Sequence, residues 1–191
     1  MSNAVILKLN ELGYTTIPES FYSKVAEWKS WYQGNVKGFH NYRVRNGESV
    51  VNCKRYSLGM GKKLCEDWAN LLMNEKVQIT LEGQKEQEFI DRILTENNFA
   101  VKANEMQEMK SALGTVAYIP RVVGQEVNES GEIVPGNASG IVLDYVTIEN
   151  IYPLTWQNGY ISECAFSSVV TRGGRDYLYL CLLYTSPSPR D

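Results

Sequence analysis

The spacing of apolar residues shifts along this chain from a helical period in its first part to a strand period in its last. Ala4 to Leu12 repeats at helical spacing and stops at Gly13, a residue suited to the position after a helix end. Pro18-Glu19-Ser20 opens a second helix, Phe21 to Gln33, closed by Gly34. Phe21, Val25, Trp28 and Tyr32 would share one of its faces, with Trp31 just off the stripe. The stretch FHNYRVRNGESVVNCKRYS reads as a β-hairpin, with Asn46-Gly47 supplying a type I′ turn. Ser57 then caps a third helix reaching Asn74, with Leu64, Trp68, Leu71 and Leu72 as its apolar face and Leu58 packed near its start. Val77 to Leu81 alternates strictly and reads as a short strand ended by Glu82-Gly83.

Two more helices follow, Gln84 to Asn97 with Phe89, Ile93 and Leu94 inward, and Val101 to Leu113, ended by Gly114. Thr115 to Val123 is a strand in which Pro120 marks an edge or a bulge. Gly124 to Gly140, rich in Gly, Asn, Glu and Ser, is expected to loop out as a long hairpin tip before Ile141 to Ile148 returns as a strand. Tyr160 to Thr171 and Asp176 to Leu180 form a last hairpin around Arg172-Gly173-Gly174-Arg175. Helices first and sequential hairpins later, without βαβ alternation, predict an α+β fold. No internal repeat is visible.

A length of 191 residues allows one sizeable domain or two small ones. Nineteen Lys and Arg against 22 Asp and Glu give a net charge of −3, which argues against a dedicated nucleic-acid-binding module. No run approaches the roughly 18 apolar residues of a membrane span, and the first residues lack the charged region and cleavage site of a secretory signal; no membrane partner is expected. Cys53, Cys65, Cys164 and Cys181 are widely spaced, without CxxC, beside a single histidine. That pattern predicts free thiols in a reducing cytoplasm and no metal site.

Gly59-Met60-Gly61-Lys62-Lys63 resembles a phosphate loop only superficially. The motif needs a Gly with four residues between it and the Gly-Lys pair, and a Ser or Thr after the Lys; Tyr56 and Lys63 hold those positions. Lys62 or Lys63 at a helix start could still attract an anion, which is the one enzymatic reading the sequence offers. His40 has no visible catalytic partner, and Glu66-Asp67 read as a solvated face. No catalytic, cofactor-binding or metal-binding residue is expected, and the protein is not expected to be an enzyme. Trp28, Trp31, Trp68 and Trp156 stand out as candidate core or subunit-interface residues, core being the commoner role of such aromatics.

Four long segments occur in order: FYSKVAEWKSWYQGNVKGFHNYRV, SLGMGKKLCEDWANLLMNEKVQITL, ENNFAVKANEMQEMKSALGTVAYIP and DYVTIENIYPLTWQNGYISECAFSS. Together they resemble the N-terminal part of phage portal proteins of long-tailed phages of Gram-positive bacteria, over residues 1–180. The resemblance implies a homo-oligomeric ring, typically dodecameric, at one capsid vertex of the virion, assembled in the host cytoplasm. Double-stranded DNA would be pumped through its channel by a separate terminase, and the ring would meet major capsid, scaffold and head–tail adaptor proteins. The portal itself hydrolyses nothing in this family. Residues 1–180 resemble the α+β wing region, while stem, clip and crown are not assignable, so the subunit is expected to be truncated. The alternative is another head-morphogenesis or minor capsid protein without a DNA channel, and the missing C-terminal half separates the two.

Residues 181–191, CLLYTSPSPRD, can be back-translated in one frame, at all eleven positions, into the transposase adapter used in sequencing-library preparation. This segment is expected to be adapter read-through rather than native sequence.

Overall fold

The computed structural model describes residues 2–74 and 77–184. In chain order its elements are helices α1 (Ser2–Glu11), α2 (Glu19–Tyr32) and the short α3 (Lys37–His40), and strands β1 (Asn41–Asn46) and β2 (Ser49–Lys54). Helices α4 (Met60–Leu72), α5 (Gln84–Glu96) and α6 (Phe99–Leu113) follow. Strands β3 (Val116–Val127) and β4 (Ile133–Thr147), a 3-10 turn (Ile148–Asn150), and strands β5 (Ile151–Gln157), β6 (Tyr160–Arg172) and β7 (Arg175–Tyr184) complete the order. The fold is α+β, with three small antiparallel sheets ordered β1-β2, β3-β4 and β5-β6-β7. The chain divides into two compact units, one of Met1–Leu58 with Thr147–Asp191, the other of Gly59–Val146.

In the first unit, α1 and α2 both end in Schellman motifs. Gly13 N–H bonds to the Asn10 carbonyl and Tyr14 N–H to Leu9, and Gly34 and Asn35 repeat the pattern onto Trp31 and Ser30. Each glycine has positive φ, the left-handed geometry that the motif requires and that a Cβ disfavours. The core joins Val5, Ile6 and Leu9 of α1 to Tyr22 of α2 and to Tyr152, Leu154 and Ala165 of the meander. The buried face of α2 is Tyr22 and Val25, not the expected Phe21/Val25/Trp28/Tyr32 stripe. Tyr22 wins because its ring stacks on Tyr152 at 5.1 Å while its hydroxyl donates to the Ile151 carbonyl at 2.9 Å. Burial of the phenol is thereby satisfied at its polar end.

Strand β5 was not anticipated. It is fixed by the turn that follows, where Asn158 and Gly159 both have positive φ between the paired residues Gln157 and Tyr160, the type I′ requirement. At the other Asn-Gly pair, Asn46 lies within the ladder opposite Ser49, and the loop is Gly47-Glu48 with only Gly47 at positive φ. The I′ turn expected there is therefore replaced by one with glycine at the first central position. The last hairpin turns at Gly173-Gly174, as expected, between paired Arg172 and Arg175. Its strand β7 continues past Leu180 to Tyr184, with Leu182 opposite Ala165. The rest of the expected adapter segment, residues 185–191, lies outside the described residues.

In the second unit, α4 packs on α6, and Asn104 donates to Asn70 at 2.9 Å across the pair. The N-cap of α4 is Gly59, in a left-handed conformation, rather than Ser57, and Leu58 is exposed rather than packed. Residues Val77–Leu81 form no strand. Their backbone is held by the Gln87 side chain, which donates to the Ile79 carbonyl and accepts from Leu81 N–H. The expected long tip shrinks to residues 128–132, because β3 and β4 run on through the Gly- and Glu-rich segment as a two-stranded ribbon. Pro120 fits β3 since that strand has a partner on one side only among the described residues.

Candidate functional site

Helix α4 carries the most exposed apolar surface of its unit. Met60, Leu64, Trp68 and Leu71 are 66%, 70%, 54% and 66% exposed, and at about 100° per residue they fall within an arc of about 80°. The sequence pattern identified this stripe correctly but faced it inward. The helix turns instead onto its small side chains, with Ala69 fully buried and Cys65 partly buried. Small residues let two helices approach closely, so α4 docks on α6 through them and leaves its larger side chains outside. Along a neighbouring edge, Lys63 bonds to Asp67 at 2.8 Å and lies 3.9 Å from Glu66. Asp67, and then Glu66, raise its pKa and hold it charged. Lys63, one of the two lysines that could attract an anion there, is thus already engaged by acids.

The other tryptophans lie in the first unit. Trp28 is 41% exposed, with its ring edge-on to Phe21 at 6.4 Å, and Trp156, opposite Ile161 near the end of β5, is 55% exposed. Trp31, 46% exposed, stands over Phe39 and His40 at centroid distances of 5.2 and 6.2 Å. None of the four tryptophans is buried. His40 is buried, its Nδ1 accepting the Val36 N–H at 2.8 Å, a structural role.

Beside this aromatic group, Arg55 lies 4.8 Å from the Phe39 ring and 4.3 Å from the Tyr42 ring, and donates to the Phe39 carbonyl at 2.9 Å. Both contacts favour a guanidinium, and they tie the base of the β1–β2 hairpin to α3. Directly opposite residues share a sheet face, so one hairpin face carries Asn41/Lys54, Arg43/Asn52 and Arg45/Val50. Its other face carries Tyr42/Cys53, Val44/Val51 and Asn46/Ser49. The cationic face escaped a reading that summed charge over the whole chain; the local count from Lys37 to Tyr56 reveals it.

In the second unit, Asp144 binds Arg121 and lies 3.6 Å from Lys102, whose Nζ also donates to the Leu143 carbonyl at 2.7 Å. The Arg121 hydrogen bond lowers the Asp144 pKa below its ordinary value. The four cysteines are free, no cluster of metal-ligating side chains occurs among the described residues, and no described helix is long and apolar enough to cross a membrane.

What these residues offer is surface for assembly. The sequence profile of the family described as phage portal protein, SPP1 Gp6-like, matches residues 14–185, and the chain belongs to that family. Its members are structural proteins of the phage capsid that associate as rings. No curated protein and no solved structure matches the chain.

Proposed function

We propose that the chain is a subunit of the portal ring at the capsid vertex, a structural conduit for packaging and ejection of double-stranded DNA and a seat for head–tail joining. The observation that carries this reading is the family match over residues 14–185. In this reading a terminase supplies the work of packaging, and capsid or scaffold and head–tail adaptor proteins meet the ring from outside.

The occupant of the α4 stripe is a second copy of the chain. A closed ring needs a head-to-tail contact, in which one patch meets a different patch on the neighbour. Exposed Leu64, Trp68 and Leu71 provide a large apolar anchor of the kind that dominates subunit interfaces. Trp28, Trp31 and Trp156 belong to the same proposal as further contact residues of the first unit.

The test is electron microscopy of the purified product of the complete gene. A closed ring with a central channel is the expected result. A monomer, or an assembly lacking a channel, would overturn the portal reading and favour a minor capsid protein.

A further inference from the structure

The segment from Lys37 to Tyr56 holds five of the chain's 19 cations, Lys37, Arg43, Arg45, Lys54 and Arg55, and only one of its 22 acids, Glu48. It therefore carries about +4, leaving about −7 for the rest of a chain whose net charge is −3. Elsewhere five cations are paired with acids, Lys8 with Glu11, Lys29 with Glu149, Lys63 with Glu66 and Asp67, and Lys102 and Arg121 with Asp144. Among the described residues, none of the five in this segment forms an ion pair. Their field is not cancelled locally, so it reaches into solvent over a Debye length of about 8–10 Å.

The register concentrates that charge. Arg43, Arg45 and Lys54 are exposed and share one face of the hairpin. Arg43 and Arg45 are two residue steps apart along the strand, as are Arg43 and Asn41, opposite which Lys54 sits. At about 3.4 Å per residue the three cations therefore form a row about 14 Å long. Asn41 and Asn52 lie between them, with the Asn52 side-chain carbonyl accepting from Arg43 Nε at 3.2 Å. That bond uses Nε and leaves the two terminal nitrogens of the exposed guanidinium as further donors. The hairpin is a two-stranded ribbon with no third strand among the described residues.

We propose that this face binds the phosphate backbone of double-stranded DNA. A row of three exposed cations, two of them guanidiniums, matches the regular anionic ladder of a duplex, and a two-stranded ribbon has the dimensions of its major groove. The only apolar side chain on the face is Val50, so an acidic protein segment would find charge there but no pocket to set its register. The contact is to phosphates and is therefore independent of base sequence. The identity of the polymer as duplex DNA rests on the portal reading; the binding itself is measured separately from ring formation.

The test is fluorescence anisotropy of residues 1–191 with a short labelled DNA duplex, titrated from about 50 to about 200 mM salt. Three phosphate contacts should weaken binding roughly 40-fold across that range. The triple variant Arg43→Gln, Arg45→Gln, Lys54→Gln should bind weakly and lose nearly all of the salt dependence. Exposed Lys24, Lys85 and Lys110, changed together to Gln, form the charge-matched control and should leave both unchanged. Arg43→Lys with Arg45→Lys should retain the salt slope, which separates lost charge from lost folding. Absence of duplex binding at low salt, equal loss in the control, or tighter binding of polyglutamate than of the duplex would each overturn the proposal. The last outcome would assign the face to an acidic protein. All three would leave the ring reading to its own test by microscopy.

Discussion

Gln87 and Asn97 do the same thing to two different stretches of backbone. Gln87 donates to the Ile79 carbonyl and accepts from Leu81 N–H, and Asn97 donates to the Ile141 carbonyl and accepts from Leu143 N–H. Each carboxamide takes the place of a neighbouring strand's peptide group, bonding residue i and residue i+2 of the segment it holds. This is how helix α5 and its C-terminal end organise backbone that lacks a strand partner on that side.

The two clamps differ in burial, and burial decides their worth. Asn97 is only 8% exposed and also donates to the Ile93 carbonyl at 2.8 Å, so its removal takes their partner from two part-buried groups, the Ile141 carbonyl and the Leu143 N–H. Asn97→Ala should cost about 2–4 kcal/mol, at about 1–3 kcal/mol per abandoned group. Gln87→Ala, whose partners are exposed, should cost less than about 1 kcal/mol because water replaces the side chain. Urea denaturation of both variants checks the contrast; equal losses would mean that the Asn97 bonds are not the source.

Alkaline pH should unfold the first unit through Tyr22. Burial, then the neighbouring Tyr152 and Cys164, raise its pKa strongly above the ordinary 10.0. The folded state thus keeps a proton that the unfolded state releases near pH 10. Its contribution is fully present below that value and is lost as pH rises through the window between the unfolded and folded pKa. Tyr22→Phe should cost about 1 kcal/mol near neutral pH, through the lost bond to Ile151, yet make stability fall less steeply above about pH 10. Denaturant midpoints on either side of that pH measure both effects. An unchanged alkaline slope would place the titrating group elsewhere, with Tyr152, whose pKa burial also raises, the next to test.

Gly34 is a sharper test of local geometry. Its φ is +65°, and a Cβ built there would lie 2.3 Å from Ser57 Oγ and 2.8 Å from Ser57 Cβ. Gly34→Ala meets left-handed strain and a steric clash together, so it should destabilise by at least about 1–2 kcal/mol. Adding Ser57→Gly should recover the clash but not the backbone strain, a partial rescue measurable by thermal unfolding.

Local rules were readable where they depend on neighbours in sequence. The glycines at helix ends, the apolar stripe of α4 and the Gly173-Gly174 turn all follow from short-range geometry. Direction was not readable. The stripe of Leu64, Trp68 and Leu71 has the period of a core face, but Ala69 and Cys65 beside it permit a closer approach to α6, and nothing in the period says which face another helix will choose. The Val77–Leu81 alternation failed for a related reason, since the partner that satisfies its backbone is a side chain, Gln87. Tyr22 was passed over because its value lies in Tyr152 and Ile151, about 130 residues away.

Self-association of the chain should run through α4. Residues 1–191 should associate in a concentration-dependent, polydisperse manner in sedimentation velocity, without a homogeneous closed ring. Trp68→Glu, or Leu64→Glu with Leu71→Glu, should suppress association while leaving the melting temperature nearly unchanged, since these side chains are exposed. Ala69→Leu is the converse, because it overfills the buried α4–α6 contact and should cost about 1–3 kcal/mol. Association undiminished by Trp68→Glu would move the subunit contact off this helix.

The junction after Leu180 should be visible in DNA rather than in the fold. Strand β7 passes through it without a break, pairing Cys181 with Phe166 and Leu183 with Cys164, and the family match reaches residue 185. An apolar run such as Cys181-Leu182-Leu183-Tyr184 satisfies a sheet edge whatever its origin, because ladder bonds are made by backbone and the inward side chain need only be apolar. A long read of the source DNA across codon 180 should find the natural frame departing from CLLYTSPSPRD and continuing into helix-rich sequence. Genomic DNA encoding those residues followed by a stop would instead make the short chain native. The minor capsid reading would then take precedence.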